Sequence, residues 1–397
     1  MSVTFPRGFR ASGVTAGMKP SGRPDLALLV GEGECAAAGL FTTNVFAAAP
    51  VRLSRSRVAD GRARAVLVNS GQANAGTGSI GDRDAVVSTA AAAELLGIDA
   101  GSVLDCSTGV IGEPLHMREL EAALPTLVAG LSPQGGDAFA AAIMTTDTRP
   151  KQAAAERGGY RVGGAAKGVG MIAPDLELAT MLAFVTTDAP VAPSEIGRLA
   201  ADVLEPRFEA LTVDGCTSTN DTVLLLASGA AGGDPVTPGT VAWDRLRDAV
   251  DEVGESLVLQ LARDAEGANH VLLVHVTGAS ETRDAQVAAK AIADSLLVKT
   301  AVFGGDPNPG RILQALGSSG VAFRPEDVEV WIGDVRVIAC GEIPAAYREG
   351  GEDPARAALK APEVVLAVHL GDGPGESRAL GVDLSYEYVR INAEYTT

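Results

Sequence analysis

The chain has 397 residues, 46% apolar and 21% charged, a balance that suits a globular protein burying its own core without metal or disulfide staples. Acidic residues outnumber basic ones 50 to 32, and the net charge of −18 argues against nucleic acid as a partner, since duplex binding needs basic surface to displace counterions. Cys35, Cys106, Cys216 and Cys340 show no metal spacing, no apolar run reaches about 18 residues, and the N-terminus lacks a secretory apolar stretch. Reduced thiols, no membrane partner and a cytoplasmic setting are therefore expected.

In chain order, residues 25–31 and 64–69 read as buried strands, short, aliphatic and stopped by Gly or Asn. Residues 40–45 (LFTTNV) read as a strand or its exit. Residues 84–96 are Ala-rich and helical, with Gly97 as the stop. The run CSTGVIG (106–112) is a turn on a strand-to-helix connection. TTDTRPK (145–151) is polar turn chemistry, and GGAAKGVG (163–170) is Gly-rich around one lysine.

Residues 178–185 (LATMLAFV) form a core strand, and Ser194 caps a helix whose Ile196, Leu199, Ala200, Val203 and Leu204 share a face, limited by Pro206. Further strands follow at 223–226, 270–276 and 364–370, with a helix at 284–296. A strand pair, 328–333 and 335–340, turns at Gly333-Asp334. Residues 229–239 are a loop. Helices and strands alternate without regular βαβ spacing, which predicts an α/β fold with mixed sheets.

Familiar active-site patterns are missing. The four histidines are dispersed, and there is no HExxH, GxSxG, Walker A or GxGxxG pattern. Taken alone, Thr180 is a threonine in an apolar strand. Its company differs: FTTN (41–44), VNSGQANAGTG (68–78), CSTGVIG, IMTTDTRPK, KGVGMIAP with LATML, STNDT (218–222), AEG (265–267), LVKTAVFG (297–304), DPN-GR (306–311) and the terminal YVRINAEYTT occur in order. Together these strings, spanning residues 8–397, resemble the ornithine acetyltransferase family.

That resemblance implies a mixed-sheet α/β sandwich of the ornithine acetyltransferase and aminopeptidase-like type. It implies self-cleavage between Ala179 and Thr180, giving an N-terminal chain 1–179 and a C-terminal chain 180–397. Cleavage frees an α-amine with a reference pKa of about 7.7–8.0, a base beside the otherwise weakly nucleophilic threonine hydroxyl. By the resemblance, Thr180 takes acetyl from N-acetyl-L-ornithine and passes it to L-glutamate. Thr108 and Gly109 form the oxyanion hole, and Thr145, Lys167, Thr180, Glu266, Asn392 and Thr397 contact substrate. No cofactor or metal is implied, acetyl-CoA stays open as a second donor, and two chains of each kind assemble into a heterotetramer.

The sequence departs from the family pattern in places. The segment 174–180 is two residues longer than usual, Asn269-His270 replaces Thr-Lys, Pro309 replaces Trp, and Asp294-Ser295-Leu296 replaces Asn-Ser-Pro. Three other readings therefore stay open: the same chemistry on another amine or acyl group, an N-terminal-nucleophile amidase or aminopeptidase, and an uncleaved binding protein.

Overall fold

The computed structural model describes residues 2–173 and 181–394. Two compact units are present, one from Met1–Glu209 and Cys216–Leu261, the other from Ala210–Gly215 and Ala262–Thr396. This division follows packing. The one at 179/180 concerns processing and lies outside the described residues.

The first unit is built on a sheet of β1 (Phe9–Val14), β2 (Leu26–Phe41), β3 (Arg62–Asn69), β4 (Val103–Ser107), β5 (Lys151–Arg157), β6 (Tyr160–Lys167), β7 (Leu182–Thr187) and β8 (Thr222–Ala227). Its order is β4-β3-β2-β8-β7-β6-β5, with β1 beside β2. β3–β4 and β7–β8 are parallel and the other pairs antiparallel, so the sheet is mixed as anticipated. The strand read at 25–31 runs on to Phe41, so that Leu40 and Phe41 end it and 42–45 are its exit. β2 pairs β1 through its first half and β8 through its second, with a register shift at the exposed Glu32-Gly33-Glu34 between them. A bulge lets a strand continue through residues that interrupt its apolar pattern.

Alternation fixes the two faces. Ala27, Leu29, Val66, Val68, Phe184 and Leu224 share one core with Val51 of α1 (Ala49–Arg57). Leu26, Leu28, Val30, Ala65 and Leu67 point the other way, against Ala92 and Ala93 of α2 (Gly78–Leu96) and Leu120, Leu124 and Leu127 of α3 (Met117–Ala129). Phe139 of α4 (Gly136–Ala142) meets Phe184 edge-to-face, ring centroids 5.1 Å apart. α2 ends at Gly97 in the left-handed conformation (φ +65°), as read from sequence.

Two expectations about the next helix are corrected. α5 (Pro193–Leu199) is capped by Ala192 with Pro193 in its first turn, and no side chain caps it, so Ser194 lies inside. Pro206 does not end the helix, which continues as α6 (Glu205–Glu209). A π turn over Ala200–Leu204, in which Glu205 N–H donates to Ala200 O, adjusts the backbone just before the proline. The expected face of Ile196, Leu199, Ala200, Val203 and Leu204 is buried. α7 (Val241–Arg263), not anticipated, packs Val253 and Leu257 over Gly164 of β6, where a Cβ would lie 2.8–2.9 Å from their methyl groups.

The second unit holds a five-stranded mixed sheet, β9 (Val271–Ala279), β10 (Glu329–Ile332), β11 (Val335–Ile338), β12 (Glu363–His369) and β13 (Gly375–Val382), in the order β11-β10-β12-β9-β13. β9 and β12 are parallel. α8 (Thr282–Asp294) lays Ala285, Ala288, Ala289 and Ile292 into this sheet's core. α9 (Leu296–Gly304) is capped by Ser295, and α10 (Pro309–Gly317) by Asn308 with Pro309 at its first position. α11 (Glu352–Ala358) and α12 (Tyr386–Glu394) complete it.

Phe184→Ala, emptying a wholly buried site opposite Phe139, is predicted to cost about 3–5 kcal/mol of stability. Urea unfolding of the variant beside wild type measures it, and equal midpoints would refute this account of the core.

Candidate active site

The STG turn leaves the end of β4. Asn69 holds it from β3: its Nδ2 donates to Ser107 Oγ at 2.6 Å, and its Oδ1 accepts from the Gly71 and Gln72 N–H groups at 3.2 Å. Asn220 holds it from the entry to β8, donating to the Ala73 and Ser107 carbonyls at 2.5 and 2.8 Å. Thr108 N–H donates to Asn69 O and Val110 N–H to Gly71 O. Gly109 lies between at φ +125°, and a Cβ there would sit 2.2 Å from the Gly71 carbonyl oxygen, so the turn requires glycine. Among the described residues nothing accepts from the Gly109 N–H.

Lys167, the last residue of β6, is buried, and its Nζ donates to Thr108 Oγ1 at 3.0 Å. Asp147 compensates its charge. One carboxylate oxygen accepts from Lys151 Nζ at 2.5 Å and Gly168 N–H at 2.8 Å, the other from Thr145 N–H at 2.9 Å. Burial alone would raise the Asp147 pKa. The ammonium groups of Lys167 and Lys151 and the Gly168 N–H overcome it and hold the carboxyl at about 2. Lys19 is a further cation in the electrostatic range of Lys167 and Asp147. Burial first, and Lys167 among its neighbours, lower it to about 8, while it donates to the Pro24 and Met144 carbonyls. Its loop is pinned by Asp25, whose carboxylate accepts from four successive N–H groups, Ala16 to Lys19.

Met181, the residue after Thr180, is buried at the entry to β7, and its N–H donates to Asp221 Oδ1. Asp221 is completely buried, its Oδ2 has no partner among the described residues, and burial raises its pKa well above the ordinary value against the pull of the Met181 N–H and Lys167.

In the second unit, Asn392 of α12 donates from Nδ2 to Glu266 Oε2 at 3.0 Å. Ser385 Oγ donates to Gly267 O at 2.6 Å, and a Cβ on Gly267 (φ +68°) would lie 2.4 Å from Tyr388 N. The C-terminal helix is thus seated on the AEG loop. Asn269 and His270, both departures from the family pattern, give their N–H groups to Asp383 at 2.7 and 2.9 Å.

The structure therefore joins Lys167 to Thr108, seats Thr145 on the Asp147 carboxylate that faces Lys167, and joins Glu266 to Asn392. Ala179, Thr180, Thr397 and the lengthened segment 174–180 lie outside the described residues. Asp147, Lys151, Lys19, Asn69, Asn220 and Asp221 were not singled out from sequence. Asn220 and Asp221 sit within the quoted STNDT string, with only Thr222 between Asp221 and the apolar run 223–227 of β8. Asp147 and Lys151 sit within the quoted TTDTRPK string and Asn69 within VNSGQANAGTG. Lys19 carries no such signal. Among the described residues no group of three His, Cys, Asp or Glu side chains could hold a metal, and no helix is long and apolar enough to cross a membrane.

A mixed-sheet α/β chain with a glycine-dependent turn and a buried lysine–hydroxyl pair defines a class, and comparison narrows it. The sequence matches the model of the ArgJ family over residues 10–397. It is 49% identical to the arginine biosynthesis bifunctional protein ArgJ of Parasynechococcus marenigrum (strain WH8102), covering 100% of this chain and 95% of that protein. The ArgJ of Symbiobacterium thermophilum is 47% identical, with 100% and 98% covered. The crystal structure of ArgJ from Bacillus halodurans, 40% identical, superposes with a TM-score of 0.51 over 53% of this chain and 98% of that one. The chain belongs to the ArgJ family.

Asp147 binds its proton more weakly folded than unfolded, so its ionised form stabilises the protein by about 2 kcal/mol. That contribution is complete above the model-compound value of 3.8 and is lost as pH falls through about 2. The stability gap between wild type and Asp147→Asn, followed by denaturant unfolding, should shrink over that window. A gap independent of pH would show that the charge is not what Asp147 contributes.

Proposed function

We propose that this protein is a glutamate N-acetyltransferase of arginine biosynthesis that cleaves itself between Ala179 and Thr180 and moves acetyl from N2-acetyl-L-ornithine to L-glutamate through an acetyl-Thr180 intermediate. Membership of the ArgJ family along nearly the whole chain carries this reading. The half-length of the Bacillus halodurans chain, 98% covered by 53% of this one, supports processing into two chains.

In the first half-reaction the freed α-amine of Thr180 takes the proton of its own hydroxyl, Oγ attacks the acetyl carbonyl, and the tetrahedral oxyanion collapses to release ornithine. In the second, the glutamate amine attacks the acyl-threonine ester and regenerates the hydroxyl. Each oxyanion needs fixed donors. The Gly109 N–H, which meets no acceptor among the described residues, and Thr108, whose hydroxyl is held by Lys167, are the donors assigned here. Lys167 also offers positive charge to a substrate carboxylate, with Thr145 beside it on Asp147. Glu266, oriented by Asn392, offers an anion to the side-chain ammonium of ornithine. Thr397 completes the substrate contacts. No cofactor enters this chemistry, acetyl-CoA being at most a second donor. The working assembly is a cytoplasmic heterotetramer of two chains of each kind.

Intact mass of purified protein should give two fragments split at Ala179-Thr180, and a single uncut chain for Thr180→Ala. Ornithine release from N-acetylornithine should depend on glutamate. Release without glutamate would mean water is the acceptor and the protein is an amidase, and no release would mean another substrate. Gly109→Ala, which must displace the turn from Gly71, should lower kcat about 10²- to 10³-fold. A change confined to KM would place Gly109 in binding alone.

A further inference from the structure

Asp221 is a wholly buried acid to which the reaction above assigns no task. It lies directly before β8, anchored by its neighbours. Asn220 bonds the STG turn's own support, and the Asp221 carbonyl accepts from Thr42 N–H at 3.0 Å. From that fixed point the carboxyl reaches the Met181 N–H through Oδ1. The Met181 carbonyl in turn accepts from Thr222 N–H at 3.0 Å. Adjacent residues at the start of β8 thus hold both backbone polar groups of Met181, which fixes its position and its orientation.

We propose that Asp221 is a positioning residue for acyl transfer, fixing through Oδ1 the backbone N–H of Met181 and thereby the chain that immediately follows the nucleophile. The proposal rests on the reading that residue 180 is that nucleophile. What the position requires is an acceptor. Among the described residues Oδ2 is out of water and without a partner, so an ionised carboxylate would leave a buried charge with Lys167 as its nearby cation. Burial outweighs the Met181 N–H, Lys167 and a Ser218 backbone bond and raises the pKa, which favours the neutral acid, and that form accepts a hydrogen bond as an amide does. Lys167 itself already faces Asp147 and Lys19.

The test compares full-length wild type, Asp221→Asn and Asp221→Ala in glutamate-dependent ornithine release, with intact mass to record processing. Asn keeps the acceptor and the shape, so it should retain most of kcat and leave the pH–rate profile unchanged. Ala frees the Met181 N–H and should lower kcat about 10²-fold, the scale of a small misplacement of a reacting group, with little change in KM. An Asn variant as inactive as Ala, or one that loses a limb of the pH profile, would mean that an ionised carboxylate acts and would overturn the proposal. So would full activity in the Ala variant. Should the Ala variant not fold, the Asn rate and profile decide alone. A wild type that is cleaved but releases no ornithine counts only against the substrate assignment. Acylation by p-nitrophenyl acetate then ranks the same three proteins, and the same order is required.

Discussion

β7 is the constraint on which the site depends. All six of its residues pair with β6 on one side and β8 on the other, and every one is buried. Leu182 and Phe184 alone bring apolar burial worth roughly 1.5–3 kcal/mol each. A cut at 179/180 would assign β1 to β6 to one chain and β7 and β8 to the other, within one continuous sheet. The halves would then be held by the β6–β7 and β2–β8 ladders and a shared core, so a new terminus would stay in register without covalent help.

The second determinant is charge. In a chain carrying −18, Lys19, Lys151 and Lys167 gather around the Asp147 carboxylate, with Asp25 beside Lys19, while burial raises the pKa of Asp221. The balance is locally positive, and the low dielectric of a buried site magnifies it. This is the field that a carboxylate-bearing substrate and a developing oxyanion both require. No histidine takes part in it among the described residues, and the proposed chemistry asks for none, since a freed terminal amine would supply the base.

Much of the fold was legible because it obeys simple periodicity. The aliphatic runs at 64–69, 223–226 and 364–370 are strands, and the Gly333-Asp334 turn joins β10 to β11 as read. Elements whose cause is tertiary were not legible. The segment 163–170 reads only as Gly-rich around one lysine, yet residues 163–167 lie in β6 and Gly164 is small because α7 crosses it, a contact no local pattern announces. The π turn before Pro206 is an adjustment to packing. At the site, motif order found Thr108, Gly109 and Lys167, whereas the buried lysines and the Gly168 N–H that hold Asp147 ionised, and the burial that raises the pKa of Asp221, exist only in the folded chain.

The departures from the family pattern look different once their local duties are known. Pro309 stands at the first position of α10, where its fixed φ suits a helix start and its missing N–H has no intrahelical bond to lose. Ser295 caps α9 and Asp294 accepts from Thr212 Oγ1, so that substituted stretch still starts a helix. Asn269 and His270 are bound to Asp383 through backbone N–H groups, and their side chains add bonds, Asn269 Nδ2 donating to Asp383 Oδ2 at 3.3 Å and His270 Nδ1 lying 2.7 Å from the Ala361 carbonyl oxygen. Among the described departures, Pro309 and the stretch 294–296 serve helix starts and Asn269 and His270 tie down their own loop, while the lengthened segment 174–180 lies outside the described residues. The pairs that would meet the substrates, Lys167 with Thr108 and Glu266 with Asn392, keep the family's residue types, and the departures therefore give no reason to move this chain to another substrate.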